Sequence, residues 1–180
     1  MKKILFFVIV VTICSCTIPK RLFNPSGGFT YKYDGQYTGL DTLLNIQGYY
    51  IYPTSIVNVG QSNYNVKFFL NGLYCSSLSN DSINMFDDNS SYIYWGRYIL
   101  SGDTIKVQVV DDEGLLGGIR TIYVSYQIVS KDLIKRLNSF EKPESTMIYQ
   151  FKPTMPDPFL PDCWLLKKKW FWKKGYYPKK

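Results

Sequence analysis

The sequence predicts an all-β protein, an antiparallel meander that closes into a barrel or stacks as a sandwich. Three observations carry this. Apolar runs of strand length alternate with period two, short clusters of Gly, Asn, Asp and Ser separate them, and no amphipathic helical run exceeds two turns. The stretch 131–140 is the one candidate for a short helix. Composition agrees: among 180 residues there are 16 Tyr, and aromatic side chains favour the pleated, half-buried surface of a sheet. Charged residues make up 19%, against about a quarter in an average globular chain.

Taken in order, residues 29–33 form a weak first strand. Residues 43–52 (LLNIQGYYIY) form a stronger one that ends at Pro53, which has no N–H to give to a ladder. Residues 65–76 contain Asn71-Gly72, the signature of a tight hairpin or a bulge. Residues 77–91 are rich in Ser, Asn and Asp and read as loop. The clearest hairpin pairs 92–100 with 104–110 across Ser101-Gly102-Asp103; Ile105, Val107 and Val109 alternate there with Lys106 and Gln108. Residues 111–118 (DDEGLLGG) read as a turn. Residues 120–129 place Ile122, Val124, Tyr126 and Ile128 on one face, and 132–137 and 146–152 complete the set. Seven or eight strands in sequence protect their edges by closing or by doubling over.

The N-terminus is an export signal. Lys2-Lys3 precede an uncharged apolar run, residues 4–13, and Ser15 is a small residue before a cut site. Ten helical residues reach only ~15 Å, about half of a ~30 Å hydrocarbon core, and Pro19 stops any extension. Ile13-Cys14-Ser15-Cys16 resembles the lipobox of bacterial lipoproteins. The resemblance implies cleavage after Ser15, a diacylglyceryl group on the Cys16 sulfur and an acylated new N-terminus, with palmitate-type chains. Two or more chains anchor stably, since each buried methylene contributes ~0.8 kcal/mol. The chain then divides into a signal peptide (1–15), a lipid-anchored tether (16–28), a β-domain (29–152) and a C-terminal arm (153–180). Thr17, not Asp, follows Cys16, and no acidic run comes after it. By resemblance the expected location is the cell envelope, on the periplasmic face of the outer membrane.

The body is similar to the lipocalin-like lipoproteins of Bacteroidetes. The similarity rests on residues 96–107 (GRYILSGDTIKV), then on Tyr123, Tyr126 and Tyr149-Gln150-Phe151 in the strands that follow. Gly48-Tyr49-Tyr50 stands where true lipocalins carry Gly-x-Trp. The resemblance implies a lipocalin-like barrel, with a β-sandwich as the alternative.

Composition excludes several chemistries. The chain has no histidine, which removes Ser-His-Asp and Cys-His catalysis and His-ligated zinc. Nothing points to a metal or a cofactor. Asp87-Asp88 and Asp111-Asp112-Glu113 lack calcium-loop spacing and read as solvated turns. Cys75 and Cys163 are the thiols left after processing. They are either a disulfide tying the middle of the chain to its C-terminal arm or two separate buried thiols.

The arm is compositionally distinct. Residues 153–163 are Pro-rich and extended. Residues 164–180 hold seven Lys, three Trp, one Phe and two Tyr with no acid. Formal charge is +7, and without Lys2, Lys3 and these lysines the remainder is slightly acidic. Lys167, Lys168, Lys169, Trp170, Phe171, Trp172, Lys173 and Lys174 suit an anionic membrane surface; equally, the aromatics can pack on the barrel wall. Export argues against nucleic acid as partner. The expected function is therefore non-enzymatic: a membrane-anchored envelope lipoprotein holding a small apolar or amphipathic ligand in its barrel. The alternative is a filled barrel that meets envelope proteins through its surface and tail.

Overall fold

The computed structural model describes residues 28–55, 61–79, 93–112, 119–137, 147–154 and 163–178. The expected signal peptide (1–15), Cys16 and most of the expected tether, Asp87-Asp88, Glu113 and most of the Pro-rich stretch lie outside them. Eight strands run in sequence order and close on themselves: β1 (Gly48–Ser55), β2 (Gln61–Phe68), β3 (Leu73–Ser79), β4 (Ile93–Ser101), β5 (Thr104–Asp112), β6 (Ile119–Ser130), β7 (Leu133–Leu137) and β8 (Ile148–Pro153). Every pairing is antiparallel, and β1 meets β8 with Tyr50 opposite Phe151. The architecture is the closed, lipocalin-like meander rather than the sandwich.

Strand limits depart from the sequence reading in five places. Residues 29–33 are not a strand; they run along the outside of the barrel, and their one β-type pairing is a parallel bridge from Tyr33 to Trp172, outside the barrel strands. The strand expected from residue 43 begins at Gly48, because Leu40–Thr42 form a 3-10 turn entered through Gly39 in the left-handed region at φ 75°. That strand runs on through Pro53 to Ser55. Asn71-Gly72 is the hairpin between β2 and β3, with Gly72 at φ 87°. Asp111 and Asp112 lie in β5, not in a turn. The 131–140 stretch supplies β7, not a helix.

Alternation assigns the inner face. Tyr50, Val66, Phe68, Tyr74, Tyr98, Ile105, Val107, Tyr126, Ile134 and Tyr149 form one buried cluster. Leu40 and Leu44 belong to it and plug one end of the barrel. The turns 69–72, 102–103 and 131–132 gather at this end. There Thr38 N–H donates to the Leu70 carbonyl (2.9 Å) and Asn45 N–H to the Lys131 carbonyl (3.0 Å). The Tyr50 hydroxyl also donates toward the carbonyls of Asn45 and Lys131, at 3.0 and 2.7 Å. The Tyr98 hydroxyl donates to the Phe69 carbonyl at 2.8 Å and meets the Thr38 hydroxyl at 2.6 Å. Buried tyrosines thus keep their polar tips satisfied while their rings fill the core.

The outer face of β3, β4 and β5 is also buried, which strand periodicity does not reveal. Leu73, Cys75, Trp95 and Val110 pack there against Phe29 and Tyr33 from the N-terminal segment and Cys163, Leu165 and Phe171 from the C-terminal one. Gln108, expected to face solvent, is fully buried. Its side-chain oxygen accepts from the Thr30 and Tyr31 N–H groups, both at 2.8 Å, and its amide nitrogen donates to the Tyr123 hydroxyl at 2.8 Å.

Candidate functional site: the barrel interior and its cationic wall

Eight strands enclose a space just wide enough for side chains or for one small ligand. Here the two halves differ. Near the plugged end, large rings fill it: Phe68 sits 5.5 Å from Tyr98 and 5.9 Å from Tyr126, both edge-on. The other half holds a cavity of about 320 Å³ lined by residues of β2 through β8, at the small end of the ~300–1,000 Å³ typical of ligand sites. Its wall is apolar along Val66, Val109, Ile122 and Val124, and the half-exposed Tyr64 and Tyr94 carry it to the surface.

Polar groups converge on this cavity from five strands. Tyr74 and Tyr126 join hydroxyl to hydroxyl at 2.8 Å, and Ser76 hydrogen-bonds Tyr74. Tyr149 hydrogen-bonds Arg136. Arg136 stands opposite Tyr126 in the β6–β7 register, two residues beyond the inward-facing Ile134, so its side chain shares the inner face. Asp111 and Arg120 form an ion pair of 2.9 Å on the same lining. Burial pushes the Tyr74, Tyr126 and Tyr149 hydroxyls above the ordinary phenol range. They are therefore neutral hydrogen-bond donors at physiological pH, and Arg136 is a permanent cation among them.

The residues picked out in the sequence fall elsewhere. Cys16 lies outside the described residues. Cys75 and Cys163 are both buried in the outer-wall cluster, where the structure carries them as thiols. In the tail, Phe171 is fully buried and stacks on Tyr33 at 5.3 Å. Trp170 and Trp172 are half-buried, and the Trp172 ring N–H donates to the Leu166 carbonyl at 2.9 Å. Lys167, Lys168, Lys169, Lys173 and Lys174 are exposed. The aromatics thus face the barrel and the lysines face outward. Among the described residues no three Cys, Asp or Glu side chains gather where they could hold a metal ion.

Sequence reasoning missed Arg136 and Asp111. Asp111 is not a solvated turn residue: its side chain is 13% exposed and held by Arg120. The signal for Arg136 was its period-two relation to Ile134, readable only once β7 is known to be a strand. Comparison with protein-family models, curated proteins and solved structures finds no match to this chain.

Proposed function

We propose that this chain is a lipid-anchored envelope protein whose barrel binds a small apolar or amphipathic molecule. The observation that carries the reading is the cavity: a barrel packed solid at one end keeps about 320 Å³ open at the other, against an apolar wall. An interior evolved only for stability would close that space, since unfilled core volume costs ~24 cal/mol per Å³. The anchor rests on the lipobox resemblance at residues 13–16, and with it the placement at the outer membrane. Binding rather than catalysis fits the polar lining, which offers neutral tyrosines, two arginines and one carboxylate already engaged by Arg120. The exposed lysines of the arm add attraction to anionic lipid, at ~1 kcal/mol each near such a surface.

Native mass spectrometry of the full chain, extracted gently from its own host membrane, tests both halves. The expected spectrum shows a covalent acyl increment that Cys16→Ala abolishes, plus a non-covalent small molecule. An unmodified Cys16 sinks the anchor. A bare protein that takes up no apolar dye sinks the carrier and leaves a filled barrel acting through its surface.

A further inference from the structure

Among the described residues no carboxylate pairs with Arg136. Among the described residues the ion pairs are Arg97 with Asp34, on the outer wall, and Arg120 with Asp111. Arg136 is half-buried on the cavity wall, and its guanidinium meets the Tyr149 hydroxyl and, at 3.9 Å, the Met147 thioether. A guanidinium carries five N–H donors in a planar fork. A phenol and a thioether use few of them and supply no countercharge. Taking a cation out of water costs several kcal/mol unless an anion and good hydrogen bonds compensate. The side chain instead shares the inner face with Tyr74 and Tyr126, whose linked hydroxyls have donor capacity and no negative charge.

The lining as a whole has the same polarity. Among the described residues its charged members are Arg120, Arg136 and Asp111, and the Asp111 carboxylate is spent on Arg120 at 2.9 Å. One positive charge is left over against a wall of Val66, Val109, Ile122 and Val124. A neutral apolar ligand would cover that wall and strand the charge. An anionic head on an apolar tail satisfies both.

We propose that the cavity binds an amphiphile with a single carboxylate head, which Arg136 holds through paired N–H donors while Tyr149 and the Tyr74–Tyr126 pair donate from the side. The proposal rests on the carrier reading above and specifies its ligand class. At about 30 Å³ per water-sized group, a 320 Å³ space takes roughly ten such groups, the size of a medium-chain monocarboxylate. Charge-assisted, forked hydrogen bonds are about twice as strong as neutral ones, so the head decides selectivity and the wall supplies the rest.

The test compares decanoate with decanol, equal in chain and different in charge. Each is labelled with ¹³C at carbon 1 and titrated by NMR into the full chain held in phosphatidylcholine nanodiscs, with empty nanodiscs subtracted. Decanoate is expected to bind about tenfold or more tightly than decanol. Its bound carboxyl signal should stay that of the ionised form to lower pH than in water. Arg136→Gln should bring the two probes within about threefold of each other, and Arg136→Lys should restore part of the gap. Tyr149→Phe, which keeps the ring, should narrow the gap and serves if Arg136→Gln does not fold by near-UV circular dichroism. Equal affinities in the native protein, or a preference that survives these substitutions, overturns the proposal while leaving the carrier reading standing. If neither probe binds, both readings fall.

Discussion

The guanidinium of Arg97, on the outer face of β4, lies 2.9 Å from the carboxylate of Asp34 in the segment that precedes the barrel. Only 10% and 17% of the two side chains are exposed, and the same guanidinium sits 5.7 Å from the centre of the Tyr33 ring. The contact fastens the N-terminal segment to the wall. Removing one partner of such a pair leaves a buried charge alone. Asp34→Ala is therefore expected to cost about 3 kcal/mol, read as a lower denaturant midpoint. Faster amide exchange at Tyr33 should accompany it, because its N–H donates to the Phe171 carbonyl at 2.9 Å.

Phe171 makes the reciprocal prediction from the other end of the chain. It is fully buried between Phe29, 5.2 Å away, and Tyr33. Phe171→Ala should destabilise by about 3–5 kcal/mol through lost burial and the cavity left behind. Replacing the neighbouring exposed Lys173 by Ala should change stability by under about 0.5 kcal/mol. Equal effects of the two substitutions in a denaturation series would show that the arm does not dock as described.

Gly96 tests barrel closure. It sits mid-strand opposite Val109, and a Cβ there would fall onto the Gln108 carbonyl oxygen, with the Val109 Cα 3.0 Å away. Neither is a flexible side chain, so β4 and β5 would have to part. Gly96→Ala should lower stability by about 1–3 kcal/mol or more, although alanine favours a regular strand over glycine elsewhere. Thermal unfolding of the purified variant checks this.

Alkali should unfold the protein through its tyrosines. Burial raises Tyr33 and Tyr98 from 10.0 to about 12 and moves Tyr50, Tyr74, Tyr126 and Tyr149 upward as well. Between the unfolded and folded values the native state binds more protons than the unfolded chain, so stability falls as pH rises. Below pH 10 the contribution is fully present. From there to about pH 12 a well-buried one such as Tyr98 removes up to about 1.4 kcal/mol per pH unit, and the more solvent-screened Tyr33 removes less. Denaturant midpoints should be level to pH 9.5 and drop steeply above it. Phenolate absorbance of the buried set should appear together with loss of structure.

Alternation made the barrel legible. Ile105, Val107 and Val109, and Ile122, Val124, Tyr126 and Ile128, are read as inner faces from the sequence, and they line the core or its rim. The Ser101-Gly102-Asp103 turn and the Asn71-Gly72 hairpin also follow from residue type, since Gly102 and Gly72 adopt positive φ. The apolar run at residues 4–13 and the lipobox-like Ile13-Cys14-Ser15-Cys16 are likewise features of linear order and need no fold to be read. Two things could be decided only in three dimensions. The first is which strand faces are covered twice. Gln108 looks solvent-facing until the backbone of Thr30 and Tyr31 is placed on it, and Phe171 looks free for a membrane until Tyr33 is stacked on it. The second is the site itself. Arg136, Tyr126, Tyr149 and Tyr74 are scattered over more than sixty residues of sequence, and only closure of β1 on β8, with the register that closure fixes, turns them toward one cavity. Period-two patterning is local and reports which way a side chain points. What it points at depends on non-local pairing, because the partner strands and the covering segments come from distant parts of the chain.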